Sequence, residues 1–283
     1  MGKLRVITWN LSVMGPIESK WSYLQSVMAE TDDPTIIALQ EVKERDRDYL
    51  MDQKGFNEFS YSLEFRQPGL FDGANRKMGC LIGGRGEVDA THPGVLTRAP
   101  FPDRTVFSDL LMDGMMLKCL CFHSLTGVGY KKAKTAQFIG VAEYLHQYRG
   151  QPFICCFDAN EPEIDHVEMQ KMKYFNQAGD QGKGAEMILG PKPVHRMKDA
   201  YRIWLDMHPK LLADLKQKQA DLDSSQLRYL PLAVSHLVSR KYPKRYDYIF
   251  VSDHFKVIHA EYRLEEAIRA GGDHAMVIAD LEY

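Results

Sequence analysis

A chain of 283 residues with 45% hydrophobic and 26% charged side chains can build a large core, which excludes a disordered, collagen-like or small disulfide-scaffold protein. Its 36 lysines and arginines nearly balance 38 aspartates and glutamates, for a formal net charge of -2. Total charge therefore does not drive it onto nucleic acid or acidic lipid, and only a local basic surface would do so.

The N-terminus carries no apolar signal-peptide core, and no segment approaches the roughly 18 uninterrupted apolar residues of a membrane span. The five cysteines (80, 119, 121, 155 and 156) lack zinc-like CxxC pairing and sit mostly in apolar runs. They are expected to be reduced core thiols. The expectation is a soluble, intracellular, cytoplasmic protein.

Residues 4–9 predict a short strand, followed by Asn10 and a Gly15-Pro16 loop. Ser19 is expected to cap a helix with Trp21, Leu24, Val27 and Met28 at helical spacing. Residues 35–41 read as a buried strand turning polar at Gln40 and Glu41, and 43–52 as a helix. Glycines and alternating apolar positions predict hairpins over 55–94. Phe59, Tyr61, Phe65, Leu70 and Phe71 there read first as core, and otherwise as a loop meeting lipid or an unpaired base.

Residues 115–122 predict a strand that delivers His123, and about 131–148 a helix with small residues on its packing face. Residues 152–157 form another buried strand, tipped by Asp158, Ala159 and Asn160. Residues 165–230 are polar and mostly helical in propensity. Within them Leu211, Leu212, Leu215 and Leu222 form an amphipathic face, expected to pack on the body, with a partner or lipid surface as the alternative. Strands over 246–251 and 275–281 close the chain, the second preceded by Gly271-Gly272-Asp273-His274.

Asn10, Glu41, Asp158 with Asn160, and Asp273 thus place oxygen atoms at the ends of four separate strands. Carboxylates brought together in one cleft repel unless a cation neutralises them, and hard oxygen donors favour Mg²⁺, with Mn²⁺ as the alternative. The implied chemistry is phosphoryl transfer.

The segments Ile7-Thr8-Trp9-Asn10, Leu39-Gln40-Glu41, Phe157-Asp158-Ala159-Asn160, Arg245-Tyr246-Asp247-Tyr248-Ile249-Phe250 and Gly272-Asp273-His274 resemble, in order and spacing, the motifs of the endonuclease/exonuclease/phosphatase superfamily. This resemblance implies a deoxyribonuclease I-like, four-layer α/β sandwich with two central, mostly antiparallel mixed sheets, formed by residues 1–283 as one domain. It implies that Glu41 binds the metal, with Asn10 and Asp273 near the ion or its waters. Asp158 and Asn160 would handle the nucleophilic water and a phosphate oxygen. Asp247 would orient a catalytic His274, and His123 would contact the scissile phosphate. Either His274 or Asp158 would serve as the base.

Four departures stand out. Phe157 replaces the usual glycine and Ala159 the usual phenylalanine, changes expected to reshape the cleft; Gly272 replaces the frequent serine, and Met276 stands near where a proline often follows the Asp-His pair, changes expected to loosen the sheet around the site. Lys134 stands where relatives often carry arginine, and with Gln137 it is expected to orient the loop after His123.

Lys134, Arg240, Lys241, Lys244 and Arg245 are the candidates for positioning phosphate or substrate, and His195, Arg196 and Lys198 form a second basic group. The pattern typical of inositol polyphosphate 5-phosphatases is missing, as is a secretory start. An intracellular nuclease acting on DNA or RNA is therefore the leading expectation, with nucleic acid as the partner. The alternatives are a phosphatase or phosphodiesterase acting on a phosphoinositide, a sphingolipid or another small phosphoester, and a noncatalytic interaction protein using residues 211–230.

Overall fold

The computed structural model describes residues 2–69, 77–176 and 179–283. From the N-terminus it contains β1 (Lys3–Asn10), α1 (Ile17–Met28), β2 (Thr35–Val42), α2 (Glu44–Met51), β3 (Asn57–Tyr61), α3 (Ser62–Phe65) and β4 (Gly79–Arg85). Next come β5 (Asp89–Gly94), β6 (Thr105–Met112), β7 (Met115–His123), α4 (Gly127–Tyr130), α5 (Lys132–Gln147) and β8 (Phe153–Asp158). Short elements follow: α6 (Lys183–Leu189), β9 (Lys198–Asp199), α7 (Ala200–Asp206), α8 (Pro209–Ala220) and α9 (Ser224–Leu227). The chain finishes with β10 (His236–Val238), β11 (Tyr242–Lys244), β12 (Asp247–Val251), β13 (Lys256–Arg263), α10 (Leu264–Arg269) and β14 (Met276–Glu282).

The strands form two six-stranded sheets, ordered β13-β14-β1-β2-β4-β3 and β5-β6-β7-β8-β12-β9, with β10-β11 as a separate hairpin. Each sheet is antiparallel except at its centre, where β1 runs parallel to β2 and β7 to β8. A parallel pair needs a crossover over one face, and α1 and α5 supply the two crossovers.

Side-chain alternation explains the layering. In β1, Leu4 and Val6 enter the core between the sheets, whereas Ile7 and Trp9 point outward beneath Trp21, Leu24 and Val27 of α1. In β8, Ile154 and Cys156 face the inter-sheet core, whereas Phe153, Cys155 and Phe157 meet Phe138, Val141 and Leu145 of α5. Three apolar layers thus separate four structural ones: helices, sheet, sheet, helices. Cys80, Cys119, Cys121 and Cys156 lie between the sheets and Cys155 lies under the helix. All five thiols are free and buried, and burial pushes each of them up.

Some local expectations change. Helix α1 begins at Ile17 because Gly15, at φ +77°, and the extended Pro16 set its entry, leaving Ser19 inside the first turn. Strands β6, β9 and β13 complete the two sheets beyond the expected set, and the unexpected β10-β11 hairpin stands apart from both. Leu215, with Leu212 beside it, packs against Leu205 and Leu232, so that face of α8 covers the body while Leu211 stays outside. Tyr61 is buried and Phe59 packs on the core, whereas Phe65 is exposed; Leu70 and Phe71 fall outside the described residues. Among the described residues no helix is long and apolar enough to cross a membrane.

Candidate active site

The same alternation that fills the inter-sheet core changes character at one end of the sandwich. Continuing Leu4 and Val6 by twos gives Thr8 and Asn10, while Ile154 and Cys156 lead to Asp158. Parallel register sets His123 beside Asp158, and antiparallel register sets Asp247 on its other side. The gap between the sheets therefore ends in a polar rank.

Asp158 is the hub. Its Oδ2 accepts from Asn10 Nδ2 at 2.9 Å, and its Oδ1 accepts from the Asn160 backbone N–H at 2.9 Å. His123 Nε2 and His274 Nε2 lie 3.5 Å and 3.9 Å from the same Oδ2. Burial raises Asp158 to about 7, helped by Asp247 and opposed by His274. His274 Nδ1 meets Asp247 Oδ2 at 2.9 Å, and the Trp9 indole N–H holds the His274 carbonyl at 3.0 Å. Burial works to lower His274, but the Asp247 and Asp158 carboxylates outweigh it and lift the imidazole to about 10.

Glu41 enters differently. Strict alternation would turn it toward the helices, but the ladder shifts between Leu39 and Val42 and Glu41 takes φ +58°. Its Oε2 accepts from the Val13 N–H at 3.1 Å, while Oε1 faces His123 Nε2 at 3.8 Å. Lys20 and Lys43 donate to the carbonyls of Ser12 and Val13, fixing the loop that holds this carboxylate.

The remaining expected residues divide. Asn10 is fully buried, with its side-chain carbonyl on the Ser12 N–H, so it reaches the cluster through Asp158. Asp273 is exposed at the rim, grouped with His236 and His274. Asn160, at φ +46°, turns its amide to the Ser124 carbonyl. Gln137 does pin the loop after His123, accepting from the Leu125 N–H and donating to the His123 carbonyl.

Three positioning candidates are corrected. Lys134 is 2% exposed and spends its ammonium on Glu161 and the Asn160 carbonyl, so it braces that loop instead of meeting substrate. Lys244 is buried with its ammonium on the carbonyls of Glu163 and Arg228. Arg245 is enclosed by Asp165 and Asp199. Arg240 and Lys241 remain exposed at the tip of the β10-β11 hairpin.

The second basic group is also displaced. His195 is buried and neutral, and with Arg196 and Lys198 it borders a separate, apolar-lined cavity of about 430 Å³. Phe157 and Ala159 do not reshape the cleft: Phe157 stacks between Phe122 and Tyr248 on the helix side, and Ala159 is buried there. Met276 is fully buried in the outer core, so the sheet is not loosened at that point.

His236 and Ser235 join the site unannounced. The His236 ring stacks on His274 with centroids 4.2 Å apart, and its Nδ1 meets the Asp273 carbonyl. Ser235 Oγ accepts from the Tyr246 and Asp247 N–H groups, and its carbonyl accepts from the Ala275 N–H. The signal for this hairpin was the apolar pair Leu237-Val238, the polar Ser239-Arg240-Lys241 turn and then Tyr242.

No family model matches the chain, and no curated protein matches it in sequence. Solved structures do match its fold. TDP2 of D. rerio, complexed with single-strand DNA product, aligns over 100% of both chains with a TM-score of 0.63 at 15% identity. The endonuclease/exonuclease/phosphatase from Bacteroides vulgatus aligns over 100% of this chain and 99% of its own, with a TM-score of 0.59 at 18% identity. A mannosyl-6-phosphatase of Bacteroides thetaiotaomicron aligns over 99% of this chain and 100% of its own, with a TM-score of 0.55 at 16% identity. The chain has the deoxyribonuclease I-like fold of the endonuclease/exonuclease/phosphatase superfamily.

Proposed function

We propose that this chain is a divalent-metal-dependent phosphodiester hydrolase, a nuclease acting on DNA or RNA, with residues 1–283 as one catalytic domain. The observation that carries the reading is the convergence of Asp247, His274, Asp158 and His123 at the mouth of the inter-sheet gap of this fold. The TDP2 neighbour with its single-strand DNA product, and the exposed Arg240 and Lys241 on a hairpin whose base stacks on His274, support nucleic acid as substrate. The five free thiols support a reducing, intracellular compartment.

The donor set fits a hard cation. Among the described residues no lysine or arginine pairs with Glu41 or Asp158, and one Glu41 oxygen is fixed by Val13 while the other faces the cleft. Glu41 would hold Mg²⁺, or Mn²⁺, with Asp273 approaching from the rim and Asn10 acting through Asp158. A cation bound there offsets charge on a phosphate oxygen and on the leaving oxygen.

The chain's own groups divide the remaining work. Asp158, its carboxyl pushed upward by burial and seated at the hub of the cluster, is the base for an attacking water. Asn10 and the Asn160 N–H keep its two oxygens in place. His274, held as an imidazolium by Asp247, stabilises the negative charge that builds on the phosphate. His123 donates a hydrogen bond to a phosphate oxygen.

A second reading, hydrolysis of a small phosphoester, is supported by the mannosyl-6-phosphatase neighbour. Product formation with Mg²⁺ and with EDTA separates the two, using single-stranded and duplex DNA, abasic duplex, RNA, a phosphoinositide, sphingomyelin and a sugar phosphate. Metal-dependent cleavage of nucleic acid, lost in Asp158→Asn, is expected. Turnover of only the small or lipid substrates would select the second reading, and an Asp158→Asn variant of full activity would remove Asp158 from the mechanism.

A further inference from the structure

We infer that Arg104 is a positioning residue that fixes the tautomer of His123, so that the hydrogen on Nε2 points into the cleft. The inference rests on the proposed hydrolytic role of His123. Arg104 ends a tight turn, Pro102–Arg104, and immediately precedes β6. Thr105 pairs with Phe122 across the β6-β7 ladder, so Arg104 stands next in line, opposite His123. Its guanidinium is buried, at 7% exposure for the residue, and Nη1 lies 2.6 Å from His123 Nδ1.

A guanidinium has only donors, so Nδ1 must present its lone pair. A neutral imidazole with an accepting Nδ1 carries its proton on Nε2. That nitrogen faces acceptors, Asp158 Oδ2 at 3.5 Å and Glu41 Oε1 at 3.8 Å. The Asn160 amide nitrogen also lies 3.4 Å from Nε2. If it donated there, both ring nitrogens would be acceptors, which a neutral imidazole cannot provide. The 2.6 Å contact outweighs one at the outer limit of hydrogen bonding, and Asn160 donates instead to the Ser124 carbonyl at 3.2 Å.

The turn that carries Arg104 is itself braced. The Arg104 N–H bonds to the Phe101 carbonyl at 2.9 Å, Thr105 Oγ1 donates to the Pro102 carbonyl, and Ser62 Oγ donates to the Asp103 carbonyl. The donor is thus built into the second sheet before any substrate arrives. A phosphate oxygen entering between Glu41 and Asp158 meets an N–H and not a lone pair.

Two-bond ¹H–¹⁵N correlation spectra of the histidine rings test this without substrate, the His123 signals being those that vanish in His123→Gln. The expected result is an accepting Nδ1 and a protonated Nε2 in the natural chain and in Arg104→Lys, and mixed tautomers in Arg104→Met. On whichever substrate the chain turns over, Arg104→Met is expected to lower kcat about 100-fold with KM within about two-fold, and Arg104→Lys to recover most of it. A protonated Nδ1 in the natural chain overturns the inference even if Arg104→Met fails to fold. A folded Arg104→Met with unchanged tautomer and kcat overturns it as well. The expected tautomer in a chain that hydrolyses no phosphoester would sink the functional reading and leave the positioning of His123 intact.

Discussion

Arg245 and Asp247 stand two residues apart at the entry to β12, and each anchors a buried charged cluster. Around Arg245 the charges are closed. Its Nε and Nη2 reach both oxygens of Asp165, its Nη1 reaches Asp199, and the Tyr248 ring lies 4.6 Å from its centre. Burial works to raise Asp165, but Arg245 and Arg202 hold it below its ordinary range. Around Asp247 the charges are open. One oxygen bonds His274, while Oδ1 is buried with no partner among the described residues, and neighbouring Asp158 is pushed upward. Tyr262 bridges the two clusters, its hydroxyl on the Asp247 carbonyl and 3.4 Å from Arg245. Satisfied charges brace a fold, and charges left short of partners are those able to change protonation or take up a ligand.

If this contrast is right, substitution on the open side costs turnover and substitution on the closed side costs stability. The largest effect is expected for His274→Ala, with kcat/KM on the cleaved substrate falling about 10²- to 10⁴-fold while circular dichroism reports an intact fold. Near-normal turnover in that variant would break the contrast at its open end. Arg245→Met, which leaves the buried Asp165 and Asp199 with Arg202 as their remaining guanidinium, is expected to cost about 3–5 kcal/mol in urea unfolding. An unmoved midpoint would show that the closed cluster braces nothing.

His195 extends the closed side toward acid. Burial holds it down to about 4, its Nε2 donating to the Ile188 carbonyl and its Nδ1 accepting from the Met197 N–H. In the unfolded chain it protonates near 6.5, so below that pH the unfolded state binds more protons. The stabilisation is complete above about 6.5 and is lost as pH falls toward 4, by at most about 3 kcal/mol. Urea titrations of His195→Asn should show a flatter dependence across that window, and parallel curves would remove His195 as its source.

The smallest effect belongs to the hairpin tip. Arg240→Gln with Lys241→Gln should reduce the salt dependence of kcat/KM on a single strand by about 0.7 in log–log slope for each phosphate that the tip neutralises. An unchanged slope would take the tip away from the substrate path.

Much of the scaffold was legible because it depends on local pattern. Apolar runs ending in Asn10, Glu41, His123 and Asp158 mark the strands that converge, and the spacing of Trp21, Leu24 and Val27 marks a covering helix. What escaped depends on partners distant in the chain. Lys134, Lys244 and Arg245 have the composition of a basic surface, yet each is consumed by a carboxylate or carbonyl that only folding brings near. The turn of Glu41 into the cleft depends on a shifted ladder and a positive φ, which residue alternation does not disclose. Arg104 lies 19 positions before His123, and only the β6-β7 register brings them together.

The five cysteines give the protein an internal clock for its own opening. Every thiol is fully sheltered in one of the two apolar layers flanking the second sheet, and none is poised as a thiolate in the native state. A maleimide or disulfide reagent therefore has to wait for those layers to part. Its rate of reaction reads the frequency of that event with no engineered probe, reporting separately from the inter-sheet layer and, through Cys155, from the layer beneath α5.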